Sequence, residues 1–568
     1  MRSETVVLPA SMWAMMPKLR RLGRSSAVPW AGVLAMTNLG SWKPLVEPAP
    51  SNRDSCGPSP AAQVRRGRAP VGRRGVHGPE KRVRELARSA RIRQFRPRGD
   101  RGAGMVGMAL GMAVLLLIGL VVVMWIERPK RATSVVLVVL DTVRADHCSA
   151  YGYERPTTPH LTGLAAEGLL FEQARAVSPW TLPSHASLFT GLLPSQHGCH
   201  WEHRWLLDRF DTLAERLAAA KRETFGVTTN ANASALWNLA QGFTTFLETW
   251  TLRDRHRGLA DSGIANAEID AWLARRDERQ PFFLFVNYAD AHLPYAPPPP
   301  YDRQFGEAGP GARRLAANGN LLQDVLAGKE QVDDADRAGL AALYDGEVRA
   351  ADARLGELLA LLDRHDVADD TLLIVTSDHG EMLGEGGEVD HQLSLNEALL
   401  RVPLVVRYPG RVRPARIPEP VALTAIKPWI DEIADQRLPD WSPSPDRTPP
   451  ALVAQRYVPV DLVDHVIAHG RDATLLARRL SVAWRPAEAG GAWRLERDSV
   501  AGERLLHLAA DGSTTAPPTG ADAMRAMLSL ALDEAEAAAP FVEAAGDFAP
   551  ADTSDARALA QARATGYV

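Results

Sequence analysis

Aliphatic and β-branched residues recur in short runs of strand length, separated by stretches with helical spacing. The apolar runs are Ser134–Leu140, Thr224–Thr229, Pro281–Tyr288, Thr371–Asp378 and Val402–Tyr408. Continuous apolar runs of this length are typical of strands buried on both faces of a parallel sheet. Helical patterns lie between them, for example over 213–220 and 347–362. The alternation predicts an α/β domain with a doubly wound, mostly parallel sheet over residues 130–410.

The chain after this domain has a different pattern. Residues 411–450 are rich in proline and are predicted to form a connection. Short strand-like segments follow at 479–485 and 492–497, and an alanine-rich helical pattern covers 521–540. These segments predict a smaller α+β subdomain over 451–568.

Residues 105–126 form an apolar run that contains no charged side chain. About 20 apolar residues suffice for a helix to cross a bilayer, and the run lacks the small-residue cleavage site of a signal peptide. It predicts one uncleaved transmembrane anchor. Six arginines precede the run within residues 88–101, which predicts a single-pass membrane protein with the tail inside and the body of the chain after the run extracytoplasmic. Translation from Met105 would remove these arginines and reverse the predicted orientation in the membrane.

The charge is divided unevenly along the chain. Residues 1–104 carry 21 basic and 6 acidic side chains, +15 in all, whereas the remainder carries 44 and 62, or −18. The basic segment has no apolar periodicity and is predicted to be disordered, or to result from a start codon assigned too far upstream. The acidic remainder argues against nucleic acid as the main partner, and the alternative is a basic tail that binds nucleic acid or anionic lipid. Three cysteines in 568 residues exclude a disulfide scaffold.

Polar side chains end two of the predicted strands. Asp141 follows the first strand, and Asp378 and His379 end the fourth. Ligands of such sheets bind beyond the carboxyl ends of the strands. Two carboxylates suit a hard divalent cation, and the imidazole also admits Mn or Zn. The alternative for Asp141 is that it only caps the next helix.

A threonine lies at a predicted helix start between these strands. Thr181 occurs in the segment 178–198, where the positive end of the helix dipole and backbone amides would stabilise an oxyanion. Next to a metal ion its hydroxyl could ionise and attack phosphorus or sulfur. The alternative is that Thr181 merely caps the helix.

Together these residues carry a family resemblance. The motifs, in chain order, are Val138–His147, Tyr151–Leu161, Pro179–Gly191, Pro194–Gly198, Asp290–Tyr295, Ser377–Glu381 and His391–Leu404, followed at the end of the chain by Ala562–Val568. Their sequences and order resemble the sulfatase family of the alkaline phosphatase superfamily. The resemblance covers about 134–410 well and the rest loosely. It implies the fold of that superfamily for the sheet.

The resemblance also implies roles for single residues. One divalent metal ion (Mn, Mg, Ca or Zn) would be bound by four residues: Asp141, Thr181, Asp378 and His379. Thr181 would also be the nucleophile. His292 resembles the family histidine that binds the transferred group or protonates the leaving group. His391 resembles the family position that holds a Lys or His facing the substrate, where it could donate a proton or screen anionic charge; the alternative is that it is a surface loop residue.

Two further positions are predicted to bind substrate. His185 stands where the family signature has arginine, and Asp290 begins the motif that contains His292. Asp290, His292 and His391 could together supply a second metal ion. Their spacing lacks the wider Asp-to-His separation of two-zinc relatives, so one ion is predicted.

Three departures from the family pattern argue against arylsulfatase activity. Thr181 replaces the Cys or Ser that becomes formylglycine, so no formylglycine is expected. Thr142 stands where many relatives have a second acid, and the lysine-containing sulfate-binding segment is missing, with 228–233 near its place. Thr with one Asp and an Asp-His pair resembles phosphodiesterases and phosphotransferases of the same superfamily.

These observations predict a metal-dependent, sulfatase-family hydrolase of sulfate or phosphate esters with a Thr nucleophile. Its partners would be an anionic ester substrate and, through the single anchor, the membrane. One alternative is a phosphotransferase that acts on an envelope lipid or glycan. Another, of a different class, is a non-catalytic protein that binds anionic ligands, although such a protein would not need a nucleophile among its metal ligands.

Overall fold

The computed structural model describes residues 111–117, 119, 132–201, 203–441, 451–474, 476–487, 491–508, 514–515, 517 and 520–537. Among these residues, no helix combines the length and apolar character needed to cross a membrane. Residues 111–117 are helical. Most of the predicted anchor 105–126 and all of the basic segment 1–104 lie outside the described residues.

The strands form two main sheets and one small ribbon. They are β1 (Ser134–Leu140), β2 (Leu169–Arg175), β3 (Glu223–Thr228), β4 (Thr245–Glu248), β5 (Phe282–Tyr288), β6 (Thr371–Thr376), β7 (Met382–Leu383), β8 (Val389–Asp390), β9 (Leu404–Arg407), β10 (Ala415–Ala422), β11 (Leu452–Arg456), β12 (Leu480–Pro486), β13 (Ala492–Asp498), β14 (Gly502–Leu508) and β15 (Thr514–Thr515).

The α-helices lie mostly between the strands of the first sheet. They are α1 (Pro159–Glu167), α2 (Thr181–Thr190), α3 (Pro194–His197), α4 (Leu213–Ala219), α5 (Asp261–Leu273), α6 (Pro310–Ala316), α7 (Leu321–Leu326), α8 (Asp334–Arg364), α9 (Glu397–Leu400), α10 (Ile426–Ala434), α11 (Val460–Ala468) and α12 (Asp522–Ala537).

The large sheet has eight strands in the order β10-β2-β9-β6-β1-β5-β3-β4. β1 pairs in parallel with both β5 and β6, whereas β9 pairs antiparallel with both β6 and β2. The predicted α/β architecture is therefore confirmed as a mixed sheet dominated by parallel pairs. β9 alone among the described strands of this sheet runs against the others.

Burial on both faces of the sheet explains the continuous apolar runs. Val136, Val138 and Leu140 of β1 pack into one hydrophobic cluster with α8, and the alternate residues of the same strand pack into a second cluster with α2 and α10. Alternate side chains of a strand point to opposite faces, so both sets must be apolar. This sandwich leaves only the strand ends for polar chemistry.

The stretch predicted as a Pro-rich connection over 411–450 proves to contain regular structure. It contributes edge strand β10, which pairs in parallel with β2, and helix α10. Pro418 and Pro420 lie in β10, and the register shifts between Ile417 and Pro420. Proline is tolerated in an edge strand, where an N–H need not pair, and here it hides the strand pattern. The large sheet therefore extends past residue 410.

The C-terminal region contains the second sheet. Its five strands are antiparallel in the order β11-β12-β13-β14-β15. Leu528 and Leu532 of α12 are fully buried against Ala483 and Leu495 of this sheet. This sheet-and-helix layer corresponds to the predicted α+β subdomain.

Candidate active site

Asp141 is delivered to the carboxyl edge of the large sheet by β1. Its backbone N–H donates to the Tyr288 carbonyl at 2.8 Å, which continues the pairing with β5. The next residue, Thr142, has φ 61°, and its hydroxyl donates back to the Asp141 carbonyl at 2.7 Å. The chain thus turns sharply after Asp141. The Thr142 side chain bonds to the backbone and does not replace the second acid of the family pattern.

Asp378 and His379 follow β6, the neighbour of β1. Asp378 Oδ1 accepts backbone N–H groups from Thr142 at 3.2 Å and His379 at 3.0 Å. His379 Nδ1 lies 2.8 Å from the Gly380 carbonyl, which can only accept, so the ring proton is on Nδ1. The lone pair of Nε2 then faces the site.

Burial dominates the electrostatics of this pair. Both side chains are fully buried or nearly so. Burial lowers the pKa of His379 well below its usual range, and the neighbouring His391 lowers it further. Burial also raises the pKa of Asp378, although His185 partly offsets this. A neutral imidazole is the form that can bind a metal ion.

Thr181 is the first residue of α2 and has no exposed surface. The N-cap position belongs to Trp180, so capping does not explain Thr181. Its hydroxyl lies 3.3 Å from His379 Nε2, with the Asn230 side-chain amide at 3.4 Å. The hydroxyl therefore faces the side chains delivered by the strand ends.

Two asparagines that sequence reasoning missed complete the inner side of the site. Asn230 and Asn287 each donate to Asp141 Oδ2, at 2.9 and 3.0 Å. Asn287 belongs to β5 and Asn230 follows β3, so both come from carboxyl ends of parallel strands. The rule that identified Asp141 could have found them.

The remaining oxygens form a ligand set suited to a divalent cation. Asp141 Oδ1 and Asp378 Oδ2 are buried and accept no hydrogen bond from any described residue. Ligand atoms of Asp141, Asp378 and His379 lie within 4.8 Å of one another. Asp378 Oδ2 is 3.4 Å from His379 Nε2, and neither atom carries a proton to share if the carboxylate is ionised. A cation between these buried lone pairs would satisfy them, so these residues fit the predicted metal ion.

His391 lies beside this centre in a second cluster. Its ring centroid is 4.5 Å from that of His379, and its Nδ1 lies 2.8 Å from Asp390 and 3.0 Å from Glu381. Burial alone would lower the pKa of His391, but the two carboxylates outweigh it and raise the pKa well above the usual value. The ring of His292 is 5.1 Å from that of His391. The structure thus brings both predicted catalytic histidines to the centre.

The two predicted substrate-binding residues occupy different surroundings. His185 is fully buried one turn after Thr181, with Nδ1 2.9 Å from the Thr181 carbonyl and 3.4 Å from Asp378. Asp290 accepts the Ser262 hydroxyl at 2.7 Å, at the start of α5. His185 thus contacts Thr181 and Asp378 from a fully buried position. Asp290 anchors the loop that carries His292.

The profile of the family described as Sulfatase matches residues 133–431. An arylsulfatase from Clostridium perfringens is 24% identical over 367 residues, which cover 54% of this chain and 76% of the relative. Residues 133–431, which the profile matches, contain the large sheet and every residue of the site described above.

Solved structures share the fold. A phosphonate monoester hydrolase of Agrobacterium radiobacter superposes with a TM-score of 0.54 at 19% identity, covering 71% of this chain and 95% of the other. A protein solved with its substrate D-glucosamine-2-N,6-O-disulfate superposes with a TM-score of 0.53 at 15% identity, covering 72% and 98%. Both structures cover a larger share of this chain than the profile match does.

Proposed function

Because the chain belongs to the sulfatase family, and is thus a hydrolase of sulfuric or phosphoric esters, we propose that it cleaves them with a divalent metal ion and the Thr181 hydroxyl oxygen as nucleophile. One observation carries this proposal. Thr181 Oγ1 lies 3.3 Å from His379 Nε2, and the ligand atoms of His379, Asp141 and Asp378 lie within 4.8 Å of one another, all in buried positions. A threonine with only a structural role would not need this ligand set.

Asp141, Asp378 and His379 would hold the ion. A bound divalent cation lowers the pKa of an adjacent hydroxyl and polarises the ester oxygens. The Asn230 side-chain amide fixes Asp141 and lies 3.4 Å from the Thr181 oxygen, so it orients the nucleophile against the carboxylate. The positive end of α2 stabilises negative charge on the same oxygen.

The reaction would proceed in two displacements. The Thr181 hydroxyl gives up its proton to solvent, and its oxygen forms a bond to phosphorus or sulfur while the bond to the alcohol oxygen breaks and that oxygen takes up a proton. Water then attacks the same central atom, the bond to the Thr181 oxygen breaks, and a proton from the water restores the hydroxyl; the product is sulfate, phosphate or, from a phosphodiester, a phosphate monoester. Each displacement inverts the central atom. The transferred group must leave the threonine oxygen by attack of water. Threonine cannot form the aldehyde hydrate with which formylglycine expels the group.

His391 is proposed as the proton donor to the leaving alcohol. Its Nδ1 is held between Asp390 and Glu381, so proton exchange with the ester would use Nε2. His292, whose Nδ1 donates to the Leu293 carbonyl at 2.6 Å, stands beside it. General acid catalysis of this kind contributes on the order of 10²- to 10⁴-fold to a rate.

We also propose that residues 105–126 anchor the protein in a membrane with the catalytic domain outside the cytoplasm. The apolar run and its preceding arginines support this. Carbonate extraction of membranes and protease treatment of intact cells test it. Recovery of the full chain in the supernatant would contradict the anchor.

Turnover measurements test the proposed chemistry. The full chain is stripped with a chelator, reloaded with Mn, Mg, Ca or Zn, and assayed with an aryl sulfate, a phosphate monoester and a phosphodiester. At least one ester should be cleaved only with metal, and Thr181→Ala should abolish that cleavage, whereas Thr181→Ser should retain part of it. Thr190→Ala removes a buried hydroxyl at the other end of α2 and should leave the rate unchanged.

The outcomes separate the alternatives. Turnover by Thr181→Ala equal to that of the unmodified chain would refute the role of Thr181 as nucleophile. Metal binding without turnover of any ester would favour the non-catalytic protein. Faster reaction with an added alcohol than with water alone would identify a transferase.

A further inference from the structure

The C-terminal sheet contacts the chain segment that leads to the nucleophile. Gln455 of β11 donates its backbone N–H to the Val177 carbonyl at 2.9 Å, four residues before Thr181. Its side-chain oxygen accepts the Ser195 N–H at 2.9 Å. The first strand of this sheet is therefore hydrogen-bonded to the segment before α2 and to the segment after it.

The same sheet also holds the segment that carries His391. Arg456 Nη1 donates to the Leu393 carbonyl at 2.9 Å, and Arg494 Nη2 donates to the Leu395 carbonyl at 2.8 Å. These carbonyls lie two and four residues after His391. One sheet thus fixes the two segments whose side chains must meet at the ester.

The backbone around His391 needs this support. Asp390 and Gln392, its two neighbours, have φ of 65° and 90°. Residues other than glycine are strained in such conformations, which persist only where surrounding contacts hold them. Besides the arginine contacts, Gln392 donates its N–H to the Pro179 carbonyl at 3.1 Å. Without these bonds the segment would relax and move the imidazole.

Arg456 supplies its bond to the Leu393 carbonyl from a buried guanidinium that donates to backbone carbonyls. It is 1% exposed, and its other acceptors are the carbonyls of Leu476 and Arg478 at 3.0 and 2.7 Å. Its Nε has no hydrogen-bond acceptor among the described residues. Burial lowers its pKa to about 10. Burying a guanidinium costs free energy that its hydrogen bonds must offset, and removing it leaves buried carbonyls without a donor.

We propose that Arg456 is a positioning residue, which fixes His391 relative to Thr181 through the Leu393 carbonyl. The inference rests on the proposed function, in which His391 acts at the ester. It assigns the C-terminal sheet a part in catalysis through the backbone segment that carries His391.

Arg222 provides a matched control. It is 3% exposed and donates only to carbonyls, those of Thr133 and Ile433, each at 2.9 Å. Burial lowers its pKa as it does that of Arg456. Arg222 directly precedes β3, at the amino edge of the large sheet, far from Thr181. Substituting either arginine removes the same kind of buried group.

The experiment compares Arg456→Lys and Arg456→Met with Arg222→Lys and Arg222→Met in the full chain. Both pairs should lose thermal stability. Only the Arg456 variants should lose kcat, on the order of tenfold to a hundredfold, because small misplacements of reacting groups cost that much. KM should change less than about twofold, and the Met variant should lose more than the Lys variant, which keeps a donor. If Arg456→Met does not fold, Arg456→Lys decides.

Hydrogen exchange supplies a readout that does not depend on turnover. The peptide that covers 389–396 should exchange faster in Arg456→Lys than in Arg222→Lys. Equal exchange in this peptide, or an equal fall in kcat for variants of equal stability, would overturn the proposal. Absence of turnover in the unmodified chain would instead remove the proposed function, while the exchange comparison still decides whether Arg456 fixes this segment.

Discussion

Replacement of His197 by glutamine should make the folded protein more resistant to acid. His197 ends α3 and is 1% exposed. Its Nδ1 accepts the Cys199 N–H at 3.0 Å, so Nε2 carries the proton and donates to the Ser187 hydroxyl at 2.9 Å. Burial lowers its pKa from 6.5 to about 3. The ring is therefore neutral in the folded state.

The sign and size of the effect follow from this pKa. Since the unfolded chain binds the proton first, stability is complete above pH 6.5 and falls as the pH decreases toward 3. Each pH unit inside this window costs about 1.4 kcal/mol. Between about pH 7 and about pH 5 the loss from this group is about 2 kcal/mol, and it stays so for any folded pKa well below 5.

The assay is urea unfolding of the full chain across this pH range. His197→Gln keeps a donor for Ser187 and should show a shallower acid loss than the unmodified chain by about 2 kcal/mol. Burial also lowers the pKa of His200 to about 3, and His197 adds to that lowering, so the difference between the two curves reports His197 together with its effect on His200. Replacement of the exposed His469 should leave the slope unchanged. Parallel curves for His197→Gln and the unmodified chain would refute the reasoning.

Two further substitutions test the support of the metal-binding residues. Asn230→Ala removes a donor to the Asp141 carboxylate and should weaken Mn binding on the order of tenfold in calorimetric titration; an unchanged Kd would contradict this role. Tyr344→Phe removes a buried hydroxyl that donates to the Thr142 carbonyl at 2.7 Å and accepts the Arg144 N–H at 2.9 Å. It should lower the free energy of unfolding by about 1–3 kcal/mol in denaturant titration, and equal stability would show that the turn after β1 does not depend on it.

The sequence was most informative where the chain is buried on both faces. β1, β5 and β6 were predicted because their residues are uniformly apolar, and the site residues Asp141 and Asp378 follow because only strand ends remain for polar groups. In contrast, β2 and β10 lie near the sheet edge and include polar, charged or proline residues, so their pattern resembles that of a loop.

Other features depend on contacts between residues distant in the chain. Asn230 and Asn287 lie at strand ends, which the sequence pattern can locate, but their bonds to Asp141 span 89 and 146 positions, and no local pattern specifies that partner. The contact of Arg456 with Leu393 likewise joins segments 63 positions apart. Arg456 ends β11, and the residues of that strand do not indicate its partner. The direction of β9 depends on its partners, since its own residues suit either pairing.

The central claim is that the Thr181 oxygen becomes covalently bonded to the transferred group. The most direct measurement is rapid quenching of the metal-loaded full chain during turnover, followed by peptide mass spectrometry. The account predicts a phosphoryl or sulfuryl adduct on the peptide that contains Thr181, present within the first turnover and absent from Thr181→Ala. Turnover with no adduct at Thr181 at any quench time, or with the adduct on another residue, would contradict it.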